Sequence, residues 1–156
     1  MGRPRVVFDC MIFLQAAARP TGPAAALLEL AEIGALDLLV SDACIEELRE
    51  VLTRPSLQRR FPSLTISAVR DFLDRIQACS MYSVNIANVF VLDRDPKDSK
   101  YIDPAIATKA DFLVTRDNDL LDLREKESPL SEIFEKLDWQ FKIVDPFEML
   151  TFLRQK

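Results

Sequence analysis

Short apolar and β-branched runs recur along this chain, and between them lie stretches whose apolar residues repeat at helical spacing. That alternation constrains the fold more than any other feature. Strands separated by helix-length segments need crossovers, which build a parallel sheet covered by helices. The first strand is predicted at Arg5-Val6-Val7-Phe8, followed at once by Asp9. Pro23 stands just inside, and Gly34 just past, a helix with the stripe Leu27, Leu28, Leu30, Ala31. Leu36 to Val40 reads as a second strand, and Ser41 or Asp42 caps a helix running to about Thr53. Arg54-Pro55 ends it, and a loop through Arg59, Arg60 and Pro62 leads to a helix carrying Val69, Phe72, Leu73 and Ile76. A short strand is expected within Ser83 to Val91, and Asp95-Pro96 opens a helical segment with Ile102, Ala105 and Ile106. Asp111 to Val114 is a strand, Asn118 to Leu123 a short helix, Phe141 to Val144 a last strand, and Asp145-Pro146 starts a terminal helix ending near Arg154. The expected class is α/β: a three-layer α/β/α sandwich with a four- to five-stranded, mainly parallel sheet.

No repeat, linker or charge block divides the 156 residues, and 49% hydrophobic content suffices for one core, so a single domain over 1–156 is expected. The chain contains no histidine. This excludes Ser-His-Asp and Cys-His mechanisms, histidine-ligated zinc or iron, and imidazole general-base catalysis. Any active site must use carboxylates, amines, hydroxyls or backbone groups. Cys10, Cys44 and Cys79 lie far apart among apolar neighbours without a CxxC pair, the pattern of buried thiols in a reducing compartment. A formal net charge of −5 argues against a binder driven to nucleic acid by electrostatics, but not against an enzyme that meets phosphates through a metal ion. Asp9 interrupts the first apolar run, which suits neither a signal-peptide core nor a membrane span, so a soluble cytoplasmic protein is expected.

In an open parallel sheet, ligands gather beyond the carboxyl ends of the strands. Asp9 directly follows the first strand, and Asp117 follows the strand that ends at Val114, so both are expected at one rim. Helix capping competes as an explanation for Asp117. It is a weaker account of Asp9, which precedes the bulky Met11, Ile12 and Phe13. Glu47 lies three residues after Cys44 and four before Val51, on the margin of its helix's buried stripe, as either a boundary residue or part of an inward-facing site. Asp98 lies four residues before Ile102, while Pro104 either kinks that helix or leaves Asp98 in a preceding turn. Four acids from four segments at one rim repel each other unless a cation joins them. Oxygen ligands select Mg²⁺ or Mn²⁺, which bridge to phosphate oxygens and support phosphodiester hydrolysis.

With these residues in place, the chain resembles the PIN-domain family, and is most similar to the branch of toxins from toxin–antitoxin systems. The resemblance runs from Arg5 to about Leu153. It rests on Val6-Val7-Phe8-Asp9, Ser41 to Leu52 with Glu47, Asp95-Pro96-Lys97-Asp98, and Ala110-Asp111-Phe112-Leu113-Val114-Thr115-Arg116-Asp117, continuing Asn118-Asp119-Leu120-Leu121. It implies a metal-dependent endoribonuclease, a hydrolase with Asp9, Glu47, Asp98 and Asp117 as its acidic quartet. Asp9, Asp98 and Asp117 would hold Mg²⁺ or Mn²⁺, and activated water would leave a 3′-hydroxyl and a 5′-phosphate. Thr115 would orient Asp117 or the water, and Asp119 is an accessory acid. The implied partners are single-stranded or structured RNA, a cognate antitoxin protein and a second copy in a homodimer.

For substrate phosphates the candidates are Arg54, Arg59 and Arg60, the densest basic cluster, with Lys97, Lys100 and Arg116 flanking the acids. Two residues depart from the family pattern. Met11 stands where many members carry Asn, and a thioether cannot replace an amide's donor and acceptor. Pro104 falls where the family continues its helix. Both point to an alternative reading, a catalytically weak or silent PIN fold that acts as a protein-interaction module. An aspartyl-phosphate phosphatase needs a second Asp two residues after the first, where Met11 stands. A phosphoacceptor receiver domain needs paired acids at the first strand and Lys after the last, and this chain has neither.

Overall fold

A computed structural model describes residues 2–83, 105, 109–122 and 141–156. The apolar runs form β1 (Arg5–Phe8), β2 (Asp37–Ser41), β3 (Ser80–Ser83), β4 (Phe112–Val114) and β5 (Lys142–Val144). The helices among the described residues are α1 (Cys10–Ala18), α2 (Pro23–Glu32), α3 (Asp42–Leu52), α4 (Pro55–Arg60), α5 (Ile66–Cys79), α6 (Asn118–Leu121) and α7 (Pro146–Arg154).

All strand pairs are parallel, in the order β3-β2-β1-β4-β5. Side chains alternate across each strand. Val6, Leu38 and Phe112, in register across three strands, point into the main core together with Phe8 and Val114. The row Val7, Leu39, Leu113 and Ile143 faces the other way and is buried too. A sheet buried on both faces is the expected layered α/β architecture. The main core is closed by α1, α2, α3, α5 and α7, through residues such as Phe13, Leu28, Leu48, Ile76 and Met149.

Local chemistry explains most of the boundaries. Ser41 ends β2 and caps α3, its Oγ accepting from the Cys44 amide at 3.1 Å. Thr65 caps α5 in the same way, and Asp145 forms a reciprocal capping box with Glu148 on α7. Gly34 leaves α2 at φ +78, a left-handed conformation, and a Cβ there would press to 3.1 Å from the Arg3 guanidinium.

Two expectations are corrected. The residues after Asp9 form a helix, α1, and Asp9 is its N-cap, accepting from the Ile12 amide at 3.1 Å. Capping therefore accounts for Asp9 after all; the helix was hidden because Cys-Met-Ile-Phe-Leu-Gln-Ala-Ala-Ala has no polar face to set a period. Arg54-Pro55 ends α3 but also starts α4: Arg54 is extended as the residue before proline, and Pro55 occupies the first helical turn. β3 begins at Ser80, immediately after α5 with no connecting loop, and reaches Ser83, where the stretch expected to hold a short strand begins; the rest of that stretch, to Val91, lies outside the described residues. The helical segment after Asp95-Pro96, with Asp98 and Pro104, lies outside the described residues apart from Ala105, which is helical and buried. No helix among the described residues is long and apolar enough to cross a membrane.

Candidate active site

The chain moves outward from β1 through β2 to β3, then returns to the other side of β1 for β4 and β5. The switch point therefore lies between β1 and β4, where the chain leaves β1 directly into α1 and leaves β4 toward α6, the place where open parallel sheets form a ligand crevice. The register Phe8↔Val114 brings both strands to this crevice at the same level. The next residue on β1's side is Asp9, its amide held by the Val114 carbonyl at 3.1 Å. The next on β4's side is Thr115, its amide held by the Val144 carbonyl at 2.9 Å.

Asp9 is 3% exposed and Thr115 is fully buried. The Thr115 hydroxyl donates to one Asp9 carboxylate oxygen while the Ile12 amide donates to the other. The same hydroxyl accepts from the Asp117 amide at 3.0 Å, bending the chain back over the crevice. Thr115 thus orients the Asp9 carboxylate and the Asp117 backbone, where the sequence pointed to the Asp117 carboxylate or a water.

Burial lifts the Asp9 carboxyl above the ordinary carboxylate range, and the nearby Asp117 adds a smaller push in the same direction. The Thr115 hydroxyl and the Ile12 and Met11 amides work against this rise. Among the described residues no Lys or Arg pairs with Asp9. The Asp9 carboxylate is held by the Thr115 hydroxyl on one oxygen and the Ile12 amide on the other, with the Met11 amide adding a further backbone contact. A buried hard-oxygen donor with a second carboxylate nearby fits Mg²⁺ or Mn²⁺, both of which favour oxygen ligands.

The structure brings together Asp9, Thr115 and Asp117. Asp117 is exposed at the mouth of the crevice, where its carbonyl accepts from Leu121 and starts α6. Glu47 is half-buried on α3, on the helix margin where its spacing placed it. Arg54, just past α3, is exposed and pairs with Glu50 at 2.9 Å. Arg59 and Arg60 are exposed at the end of α4, and Arg116 is exposed between Thr115 and Asp117. Asp119 lies on α6. Asp98, Lys97 and Lys100 lie outside the described residues. Among the described residues no three acids or thiols converge into a cluster able to hold a metal ion, so the expected trio of Asp9, Asp98 and Asp117 is represented by two members. None of the three cysteines is in a disulfide; Cys10 and Cys44 are buried and Cys79 is half-buried.

One residue near the site had no signal in the sequence. Arg19, just past α1, lines a cleft with Arg60 and Arg116. Without α1 as a recognised helix, nothing placed Arg19 beside α4.

An open parallel sheet with a buried carboxylate at its switch point defines an α/β protein with an acidic crevice between β1 and β4. The family profile of the PIN domain matches residues 5–119, and the chain belongs to that family, whose members are generally nucleases. No sequence among curated proteins matches the chain. Among solved structures, the fold is similar to a chain in the crystal structure of VapBC2 from Rickettsia felis bound to a DNA fragment from its promoter. The two share 13% identity at a TM-score of 0.55, covering 90% of this chain and 98% of the other.

Proposed function

We propose that this protein is a Mg²⁺- or Mn²⁺-dependent endoribonuclease acting in the cytoplasm as the toxin of a toxin–antitoxin pair. The observation that carries the reading is Asp9: a carboxylate buried at the switch point, aimed by the Thr115 hydroxyl and the Ile12 amide, and facing a second acid rather than a cation among the described residues. In the proposed site Asp9, Asp98 and Asp117 hold the metal, with Glu47 and Asp119 as further acids at the rim. The bound cation would neutralise the crevice toward phosphate and make water a better nucleophile. The chain's own contribution is positional. Thr115 fixes the Asp9 carboxylate, and the α1 amide at Ile12 holds its other oxygen. Membership of the PIN family supports nuclease chemistry, and the likeness to a VapBC2 chain supports a cognate antitoxin as partner.

The test is cleavage of single-stranded and structured RNA by the purified chain with Mn²⁺, with Mg²⁺ and with EDTA. Cleavage is expected only with metal, and is lost in Asp9→Asn and Asp98→Asn. Equal cleavage by the wild type and both variants would overturn the assignment. Absence of cleavage by the wild type would leave the domain as a binding module.

A further inference from the structure

Beside the acidic rim, a cleft of about 330 Å³ opens between α1, the start of α2 and the end of α4, within the size range of small-molecule sites, roughly 300–1,000 Å³. Three arginines line it, Arg19, Arg60 and Arg116, and among the described residues no Asp or Glu does, although the whole chain carries a net charge of −5. Arg3, Arg49, Arg54 and Arg75 each pair with an acid; among the described residues, the three cleft arginines form no ion pair. The cleft also has an apolar side made by Met11, Leu57 and Phe61. Met11 is half exposed there, an unusual position for a large apolar side chain two residues from a buried carboxylate. The Arg60 guanidinium lies over the Phe61 ring, 5.5 Å from its centroid, and presents a cationic surface on which a planar ring can stack.

Both strands that form the crevice feed this cleft, Met11 coming two residues after Asp9 and Arg116 directly before Asp117. We propose that the cleft seats an unpaired nucleotide of the RNA strand adjoining the scissile phosphate. The arginines hold its backbone phosphates, and Met11, Leu57 and the Arg60–Phe61 pair hold its base. The inference rests on the ribonuclease reading and gives that site a preference for single strands. Charge complementarity selects a polyanion. An apolar wall beside a cationic stacking surface selects one with exposed bases, which a duplex does not offer. Met11 then has a role of its own, as part of the wall that receives the base.

The experiment uses fluorescence anisotropy with a labelled single-stranded RNA of mixed sequence, about 12 nucleotides long, on full-length Asp9→Asn protein so that binding is read without cleavage. Arg60→Ala is expected to weaken binding about tenfold and to reduce the salt slope by about 0.7 per lost phosphate contact. Phe61→Leu and Met11→Ala are expected to weaken it about fivefold with the salt slope unchanged, since they remove stacking surface rather than charge. Lys156→Glu, in a second basic groove at the opposite end of the sheet, controls for net charge and leaves the affinity as it was. Binding of single-stranded RNA unchanged in all three cleft variants, with melting temperatures like the parent's, overturns the proposal. So does binding of duplex RNA as tight as single-stranded RNA and equally sensitive to Phe61→Leu, or cleft variants that keep RNA affinity and lose only a protein partner. The two readings separate cleanly. A wild type that binds RNA through Arg60 but never cleaves it removes the nuclease and keeps the cleft. A wild type that cleaves with a KM unaffected by Arg60→Ala removes the cleft and keeps the nuclease.

Discussion

The two ends of the sheet carry the same residue type in opposite circumstances. At the amino end, Asp37 pairs with Arg3 at 3.0 Å, and the exposed Asp111 accepts the Arg5 amide at 2.8 Å. These acids lie at the protein surface, where each has a plain structural partner. At the carboxyl end, one strand-length along β1, Asp9 is buried and its carboxyl is raised above the usual range. Among the described residues its partners there are a hydroxyl and the Ile12 and Met11 amides, with a second carboxylate near enough to repel it. A fold gains little from burying a charge this way, since desolvation opposes the charged form. The contrast separates acids with plain surface partners from one that caps a helix at the cost of desolvation, which is the circumstance behind the proposed site.

The largest test of that contrast is Asp9→Asn, which should abolish metal-dependent RNA cleavage while keeping the α1 cap, because Asn also caps well. Asp37→Asn should leave cleavage intact. Next is Thr115→Val, which keeps the shape of the buried residue and removes the hydroxyl that holds Asp9. A loss of about 10- to 100-fold in kcat/KM is expected, as for other residues that orient a metal ligand. An unchanged rate would show that Thr115 serves packing alone. Third, Mn²⁺ at about 100 times its Kd should stabilise the protein by about 2.7 kcal/mol, which in a chain of this size raises Tm by roughly 5–10 °C. Differential scanning fluorimetry should show this shift in the wild type and lose it in Asp9→Asn.

The pH dependence has a definite sign. Burial raises the folded-state pKa of Asp9 above its unfolded value, so within that interval the folded protein binds a proton that the unfolded chain has released. Metal-free stability is therefore fullest below the unfolded value, near 3.9. It declines as pH climbs through the raised folded value. Urea unfolding in EDTA should find Asp9→Asn more stable than wild type at neutral pH, with the gap closing on acidification. A gap that widens toward low pH would reverse the assignment. The smallest effect belongs to the amino end. Arg3→Ala breaks an ion pair with an exposed guanidinium and should cost about 1 kcal/mol or less, with cleavage unchanged.

What the sequence disclosed depended on where its periodicity was clean. β1, β2, β4 and β5 are dense apolar runs, and α3 and α5 have one apolar stripe each, so their places were legible within a residue or two. Helix α1 was illegible for the opposite reason: only Gln15 is polar within it, so no face stands out. The start of β3 was hidden because α5 passes into it at Ser80 without a turn residue to mark the change. Asp9 and Asp117 could be placed at one rim because each follows closely on a dense apolar strand, although the structural use of Asp9 as a helix cap was misjudged. The basic cleft could not, because Arg19, Arg60 and Arg116 are far apart in sequence and meet only when α1 and α4 are folded.

The bond from Thr115 to Asp9 joins residues 106 positions apart. It fixes an order of events during synthesis. Asp9 is made before Thr115, with β1 and α1, but the hydroxyl that holds its side chain arrives only when β4 has been made and docked against β1. Pairing so distant in sequence is slow to form. Shortened or unfinished chains that stop before β4 therefore carry the first acid of the site without the residue that aims it. The arrangement around Asp9 is thus a property of the closed sheet, absent from any chain in which β4 has not docked against β1.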